Sequence, residues 1–312
     1  MHSSATPPSY SRRDFVCTLG AGVGTALLAS RLVTPAFAAD AATAPKRRLK
    51  IGHTGITWAD AEVLTAIKEL GALGYEGFEP FGWVAEPWEA KGSLAPHLKE
   101  AKLPLISEYC SIALHDPTKR KTEIEKLVGF GRTIKKLGGT VCVVGPGSVN
   151  RQTYNFAASK GDVITTLNEV SKALADIGII PALHPHTGTS VMTRDEVYAV
   201  LEAADTKVVK FCPDVGQLAK AGADPVQIVK DFLPLVRHAH VKDYLGGDAY
   251  VGYCPLGQGH VDLAAIMDLL EKAEMNIAMV ELDSSRNMPI AAGETARIAK
   301  TTLQKLGYTF RA

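Results

Sequence analysis

Cysteine is scarce in this chain. Five in 312 residues, with no CxxC pair, are too few for a disulfide scaffold. Net charge is nearly absent as well: 34 Lys and Arg face 33 Asp and Glu, for a formal +1. A protein held on nucleic acid by phosphate contacts carries a basic excess or a basic stripe, and neither is present. No uninterrupted apolar run approaches the ~20 residues of a membrane-spanning helix. No G-x-G-x-x-G follows a first strand, since the Gly20–Gly24 run lies in the N-terminal segment, so the dinucleotide-binding signature is missing. Hydrophobic residues at 46% and charged residues at 21% exclude a disordered or collagen-like chain. What remains is a near-neutral α/β enzyme or binding protein.

The N-terminus reads as an address. Residues 11–16 are Ser-Arg-Arg-Asp-Phe-Val, an apolar and small-residue run follows from Cys17 to Leu28, and Ala36-Phe37-Ala38 closes the segment. A basic region, a weakly apolar stretch and an A-x-A end form a secretory signal, and the adjacent Arg12 and Arg13 make it a twin-arginine type. Arg31 interrupts the stretch, which argues for cleavage over anchoring. We therefore expect a signal peptide over 1–38, a linker over 39–48, a periplasmic location and no stable membrane span. Removing Arg12, Arg13, Arg31 and Asp14 with the signal leaves 31 basic and 32 acidic residues, net −1, and four cysteines.

From residue 49 onward, short apolar runs alternate with amphipathic segments. The expected strands are 49–53, 77–81, 105–109, 140–145, 179–184, 208–213, 236–241 and 277–282. The expected helices are 59–71, 86–101, 119–137, 162–177, 193–204, 224–233, 262–273 and 292–306, several closed by glycine, as at Gly138, Gly178 and Gly307. Eight β–α alternations of roughly 33 residues each are what a (β/α)8 TIM barrel requires, here as one domain over 49–312. Residues 244–260 form a longer connection after the seventh strand and are a candidate lid.

In such a barrel, chemistry sits where strands end. The polar residues there are His53, Glu79, Glu108, His184, His186, Asp214, His240, Lys242 and Glu281. His184 to Asp214 is 30 residues and Asp214 to His240 is 26, each one β–α unit; His240 to Glu281 is 41, one unit with the 244–260 insertion. Four residues in register on four consecutive strands would set two imidazoles and two carboxylates around a divalent cation. Single His or Asp residues at strand ends are more often structural, but four in register point to a site.

These residues resemble the xylose-isomerase-like sugar isomerase and epimerase superfamily. The most specific pieces are His240-Val-Lys-Asp243, Pro213-Asp214-Val-Gly216, Pro255-Leu-Gly-Gln-Gly259 leading to Asp262, and Glu281. The resemblance implies one metal ion held by His184, Asp214, His240 and Glu281, manganese first, with magnesium, cobalt or zinc as alternatives. In the isomerases and epimerases the fifth strand generally carries Glu; here it carries His184, within a His-rich run ending Gly188-Thr189 that looks more like the inosose dehydratase branch. Gln217 stands where many relatives have His.

The chemistry implied is removal of a proton beside a carbonyl, with a cation stabilising the enolate. Glu281 is the first candidate base and His186 the second, with His186 alternatively protonating a leaving oxygen. Lys242 is a candidate to polarise the carbonyl, or else a partner for a neighbouring acid. Glu108 is a candidate acid from the opposite side. His53, Glu79, Gln258 and His260 are candidate substrate contacts, and Trp58, Phe81, Trp83 and Tyr109 could stack on a sugar. His238 is read as structural, on the other side of its strand from His240.

The leading expectation is a lyase on a keto-sugar, keto-glycoside or keto-cyclitol. A ketose epimerase or aldose–ketose isomerase is the alternative, and a non-catalytic sugar-binding barrel the third reading. The partner is a small carbohydrate, not nucleic acid, and assembly into a homo-oligomer is left open. Replacing Arg12 and Arg13 by Lys is expected to abolish export; N-terminal sequencing of undiminished, processed periplasmic protein would contradict the twin-arginine reading.

Overall fold

Apolar, β-branched runs flanked by glycine-closed helices produce a closed ring of parallel strands in the computed structural model, which describes residues 47–92, 94–283 and 288–312. The expected signal peptide and residues 39–46 of the linker lie outside the described residues. Arg47 and Arg48 are already packed on the barrel: Arg47 Nη1 lies 2.6 Å from Asp268 Oδ1, and the Arg48 amide donates to Glu271 Oε2 at 3.0 Å.

The barrel strands are β1 (Lys50–Thr54), β2 (Phe78–Glu79), β3 (Ser107–Ser111), β4 (Val141–Gly145), β5 (Ile180–Leu183), β6 (Lys210–Phe211), β7 (His240–Val241) and β10 (Ile277–Val280). One sheet runs β2-β1-β10-β7 and the other β3-β4-β5-β6. Parallel bridges Phe78–Leu105 and Phe81–Tyr109 join them on one side, and Phe211–Val236 and Asp214–His240 on the other. The ring therefore closes in chain order, as the alternation predicted. Strands six and seven are shorter than expected because Pro213 has no amide to donate. Their pairing continues through single bonds, such as His240 N to Pro213 O at 2.9 Å.

Around the ring lie α1 (Val63–Leu73), α2 (Gly82–Ala90), α3 (Leu94–Glu100), α4 (Arg120–Lys136), α5 (Phe156–Asp176), α6 (Arg194–Leu201), α7 (Val215–Lys220), α8 (Pro225–Asp231), α9 (Leu263–Leu270) and α10 (Ala292–Lys305). The helix expected over 86–101 is in fact two, α2 and α3. Gly92, at φ +82°, takes the left-handed conformation that ends a helix. The short α7 was not expected. It exists because Asp214 Oδ1 accepts from the amides of Gly216 and Gln217, both at 2.9 Å, and so caps its first turn. The 244–260 connection holds an antiparallel hairpin, β8 (Asp243–Tyr244) and β9 (Tyr253–Cys254).

Side chains alternate along each strand. On β4, Cys142 and Val144 join the large core between sheet and helices, while Val141 and Val143 meet Ala182 and Cys212 in a smaller cluster inside the ring. That inner cluster plugs the barrel's interior, and polar residues take over above it. Among the described residues, no helix is long and apolar enough to cross a membrane.

Candidate metal centre and active site

Four strand ends converge above the inner plug. The register that pairs Met279 with His240, and the bridge from Asp214 to His240, set strands six, seven and eight of the barrel level with one another. His184 follows β5, Asp214 caps α7, His240 opens β7 and Glu281 follows β10. His184 Nε2 lies 3.9 Å from Asp214 Oδ2, the His184 and His240 rings are 4.7 Å apart, and His240 Nδ1 is 3.0 Å from Glu281 Oε2. All four side chains are buried.

Lys242 stands among them. Its ammonium lies 2.9 Å from Asp214 Oδ2, 2.5 Å from Glu281 Oε1 and 2.8 Å from Asp283 Oδ1, and it is wholly buried. Its stem crosses the first turn of α7 at Gly216, where a Cβ would come within 2.5 Å of Lys242 Cγ. Only glycine allows this approach. Burial alone would lower the Lys242 ammonium, but Asp214, Asp283 and Glu281 together hold it well above the usual range. Burial pushes the Asp214 carboxyl up to about 7, against the pull of Lys242. For Glu281 the balance goes the other way: burial would raise it, yet His240 and Lys242 keep it well below the carboxylate range.

His240 is held from both sides. Its Nε2 lies 2.8 Å from Glu79 Oε1, opposite the contact with Glu281. Glu79 is itself anchored: Oε2 accepts from Ser107 Oγ at 2.5 Å and meets His238 Nε2 at 2.7 Å. A carboxylate behind an imidazole orients the ring toward what lies in front of it. Two expectations are corrected here. Glu79 is not a substrate contact, because it is fully buried one layer below the pocket. His238 is not on the far side of its strand, because residues two apart share a face.

The donor set suits a divalent ion. Asp214 Oδ2 and His240 Nδ1 are buried and lack an aligned hydrogen-bond donor or acceptor. Asp214, Glu281 and Asp283 bring three carboxyl groups to Lys242, and Glu79 brings a fourth to His240, whose imidazole burial would lower but Glu281 and Glu79 hold well above its usual range. The acids still outnumber the cations, and a dication would offset the difference. Ligand atoms of Asp214, His240 and Glu281 lie within 4.8 Å of one another.

The site opens into a cavity of about 390 Å³. One half of its wall comes from the fifth to eighth barrel strands and their connections: His184, His186, Val251, Glu281 and Asp283. The other half comes from the first four: Ile56, Phe81, Trp83, Tyr109, Ser111 and Ser148. Trp83 stacks on Phe81 at 4.1 Å and Tyr109 meets both edge-on, so three of the four suggested aromatics share this wall, whereas Trp58 lies outside the cavity, buried against His53. Val251 reaches the cavity from the tip of the β8–β9 hairpin, in a left-handed conformation at φ +59° that Lys220 secures by donating to its carbonyl at 2.7 Å. Asp283, which closes the polar end of the eighth strand in the sequence but has no role expected of it there, is two residues beyond Glu281 and so shares its face.

Several expected contacts are absent from this cavity. Glu108 is fully buried on the outer face of β3 with Glu86 and Glu89 of α2 nearby, whereas its neighbours Ser107 and Tyr109 point inward. It cannot serve as an acid toward substrate. His53 also faces outward, between the rings of Trp58 and Tyr75, with Nδ1 2.6 Å from its neighbouring carbonyl at Thr54, and burial lowers it to about 4. Gln258 and His260 are exposed and line no part of the cavity, because their loop folds back on Asp243, whose carboxylate accepts from the amides of Gly257, Gly259 and Val261. Lys242 does not line the cavity either; it touches Glu281 and Asp283, which do.

His186 does line it. Gln217 Oε1 accepts from the Thr187 amide and hydroxyl, which turns its Nε2 to donate to His186 Nε2 at 2.7 Å. The His186 proton then resides on Nδ1, donated to Thr187 O at 2.7 Å. Burial and Lys242 lower this imidazole, keeping it neutral.

Residues 66–306 match the xylose isomerase-like TIM barrel family. The chain belongs to that family. Its members are metal-dependent sugar-modifying enzymes. A relative, the inosose dehydratase of Clostridium botulinum (strain Eklund 17B / Type B), is 32% identical over 222 residues, covering 63% of this chain and 71% of the relative. Among solved structures, the IOLI protein with a bound zinc atom superposes with a TM-score of 0.68 at 20% identity, over 83% of this chain and 98% of that one. A xylose isomerase-like barrel from Mycobacterium smegmatis in complex with magnesium gives 0.64 at 17%, over 83% and 96%.

The misplaced acid has a measurable consequence. Burial, reinforced by Glu86 and Glu79, raises Glu108 from 4.5 to about 9. As pH climbs past 4.5 the unfolded chain loses this proton first, so stability present below that value declines until the folded acid ionises. The slope is about 1.4 kcal/mol per pH unit. Glu108→Gln removes the slope. Between pH 5.5 and 8, urea unfolding is expected to show wild type losing about 3 kcal/mol relative to the variant; parallel pH profiles would contradict this assignment.

Proposed function

We propose that this protein is a divalent-metal-dependent lyase that removes the proton beside a carbonyl of a keto-sugar, keto-glycoside or keto-cyclitol and then expels a β-oxygen substituent. The observation that carries this reading is the one-sided placement of its acids and bases. His184, His186, Glu281 and Asp283 all stand on the half of the cavity built by the later strands. Tyr109 is the one titratable group among the described residues of the facing wall, and burial pushes its phenol up, so it offers no base. A two-base epimerisation takes a proton from one face and returns one to the other, which requires a base on each wall. A syn elimination, in which one group takes the proton and returns it to the leaving oxygen on the same face, requires acid–base groups on one side only.

A divalent ion held by His184, Asp214, His240 and Glu281 would supply the Lewis acid that stabilises the enolate oxygen. The donor chemistry is compatible with manganese, magnesium, cobalt or zinc. Glu281 is the proposed base: it lines the cavity, and Lys242 and His240 keep it ionised. His186 has both ring nitrogens engaged, Nε2 accepting from Gln217 and Nδ1 donating to Thr187 O, so it lines the cavity as a neutral wall, and the leaving oxygen would take back the proton that Glu281 removes. Asp283, held by Lys242 and approached by Gln217, is placed to accept from a substrate hydroxyl. The inosose dehydratase relatives support elimination over isomerisation.

The test is incubation of the metal-loaded protein with a 3-keto-glucoside or a keto-inositol in deuterated water. An unsaturated product is expected, with Glu281→Gln slowing its formation by about 10²–10⁴-fold. Deuterated, epimerised substrate with no unsaturated product would replace the lyase with an epimerase. Tight binding without turnover, unchanged in Glu281→Gln, would leave a sugar-binding barrel.

A further inference from the structure

Beneath the oxygen-rich part of the cage lies a sulfur atom. Cys212 precedes Asp214 by two residues on the same strand end and faces the interior, where it completes the small cluster with Val141, Val143 and Ala182. It is wholly buried, yet it does not meet only hydrocarbon: its Sγ lies 3.7 Å from His184 Nδ1. Ligand atoms of His184, Cys212 and His240 fall within 4.8 Å of one another, as do those of Asp214, His240 and Glu281. His240 belongs to both groups, so the two donor sets share a corner.

We propose that Cys212 is a metal ligand, forming with His184 and His240 a soft donor set that gives the cage a preference for a thiophilic dication such as zinc. This rests on the reading above that the cage holds a divalent ion.

Spacing and chemistry support it together. Around a tetrahedral ion with bonds of about 2.3 Å to sulfur and 2.0–2.1 Å to nitrogen, neighbouring sulfur and nitrogen donors stand roughly 3.5 Å apart. The separation of Cys212 and His184 is within a few tenths of an ångström of that. On the carboxylate side, Lys242 bridges Asp214, Glu281 and Asp283. None of those contacts serves His184 or Cys212. Carboxylates with imidazole suit magnesium or manganese, whereas thiolate with imidazole selects zinc and its softer relatives. On binding, the sulfur–metal bond replaces the S–H bond and the proton leaves to solvent. Without an ion the walled-in thiol is inert.

Cobalt(II) reports a sulfur ligand directly, through a thiolate-to-metal charge-transfer absorption in the near ultraviolet. The full chain, stripped of metal and titrated with cobalt(II), is expected to develop that absorption. Cys212→Ser is expected to lose it and to bind zinc at least about tenfold more weakly, with magnesium affinity changed by no more than about threefold. Should that variant fail to fold, Cys212→Ala, which suits the apolar cluster with Val141, Val143 and Ala182, takes its place and is likewise expected to lose the absorption. Cobalt binding measured calorimetrically with no charge-transfer absorption would overturn the role of Cys212 and leave the metal reading intact. No cobalt binding at all would overturn both.

Discussion

Four carboxyl groups share a mostly buried volume with only the Lys242 ammonium and the His240 imidazole to offset them, and much of the upper barrel follows from making that tolerable. Buried charges of one sign repel strongly in a low-dielectric interior. Lys242 answers part of the repulsion by touching Asp214, Glu281 and Asp283 at once. Its route there dictates Gly216, the short helix α7 and the Asp214 cap that starts it. Glu79 answers another part by holding His240 from behind while Ser107 and His238 hold Glu79. Asp214 Oδ2 and His240 Nδ1 are left buried without an aligned hydrogen bond, next to the Lys242 ammonium at 2.9 Å and Glu281 Oε2 at 3.0 Å respectively.

Half of this was readable in advance. The β–α alternation survives into the fold because each strand is an apolar run and the register closes in chain order. The later-strand residues His184, Asp214, His240 and Glu281 meet as their spacing implied. The earlier-strand candidates fail for one reason: a strand end names a height in the barrel but not a face. Glu108 sits between inward-facing Ser107 and Tyr109, and a single residue of phase sends it into the helix layer. His53 is displaced in the same way. Glu79 has the right face and the wrong depth. Gln258 and His260 could not be placed at all, because their loop is set by Asp243, a contact between residues 14 to 18 apart that no local pattern announces.

Those displacements shape the functional reading more than the successes do. With Glu79 and Glu108 withdrawn, the early-strand wall keeps aromatic, aliphatic and hydroxyl groups, with Tyr109 as its one titratable member. On the proposed function, a cavity with its acid–base groups on one side and a stacked Phe81–Trp83 face on the other would hold a sugar ring against the cage and work on it from a single direction. The strained tip at Val251 adds a wall that only the long seventh connection could supply.

Anomalous diffraction from crystals of the protein loaded with a divalent ion tests the central claim most directly. The account predicts one strong peak within coordination distance of His184, Asp214, His240 and Glu281, with Lys242 drawn toward Asp283. A cage without an anomalous peak, with Lys242 still bridging Asp214 and Glu281 at saturating metal, would contradict it.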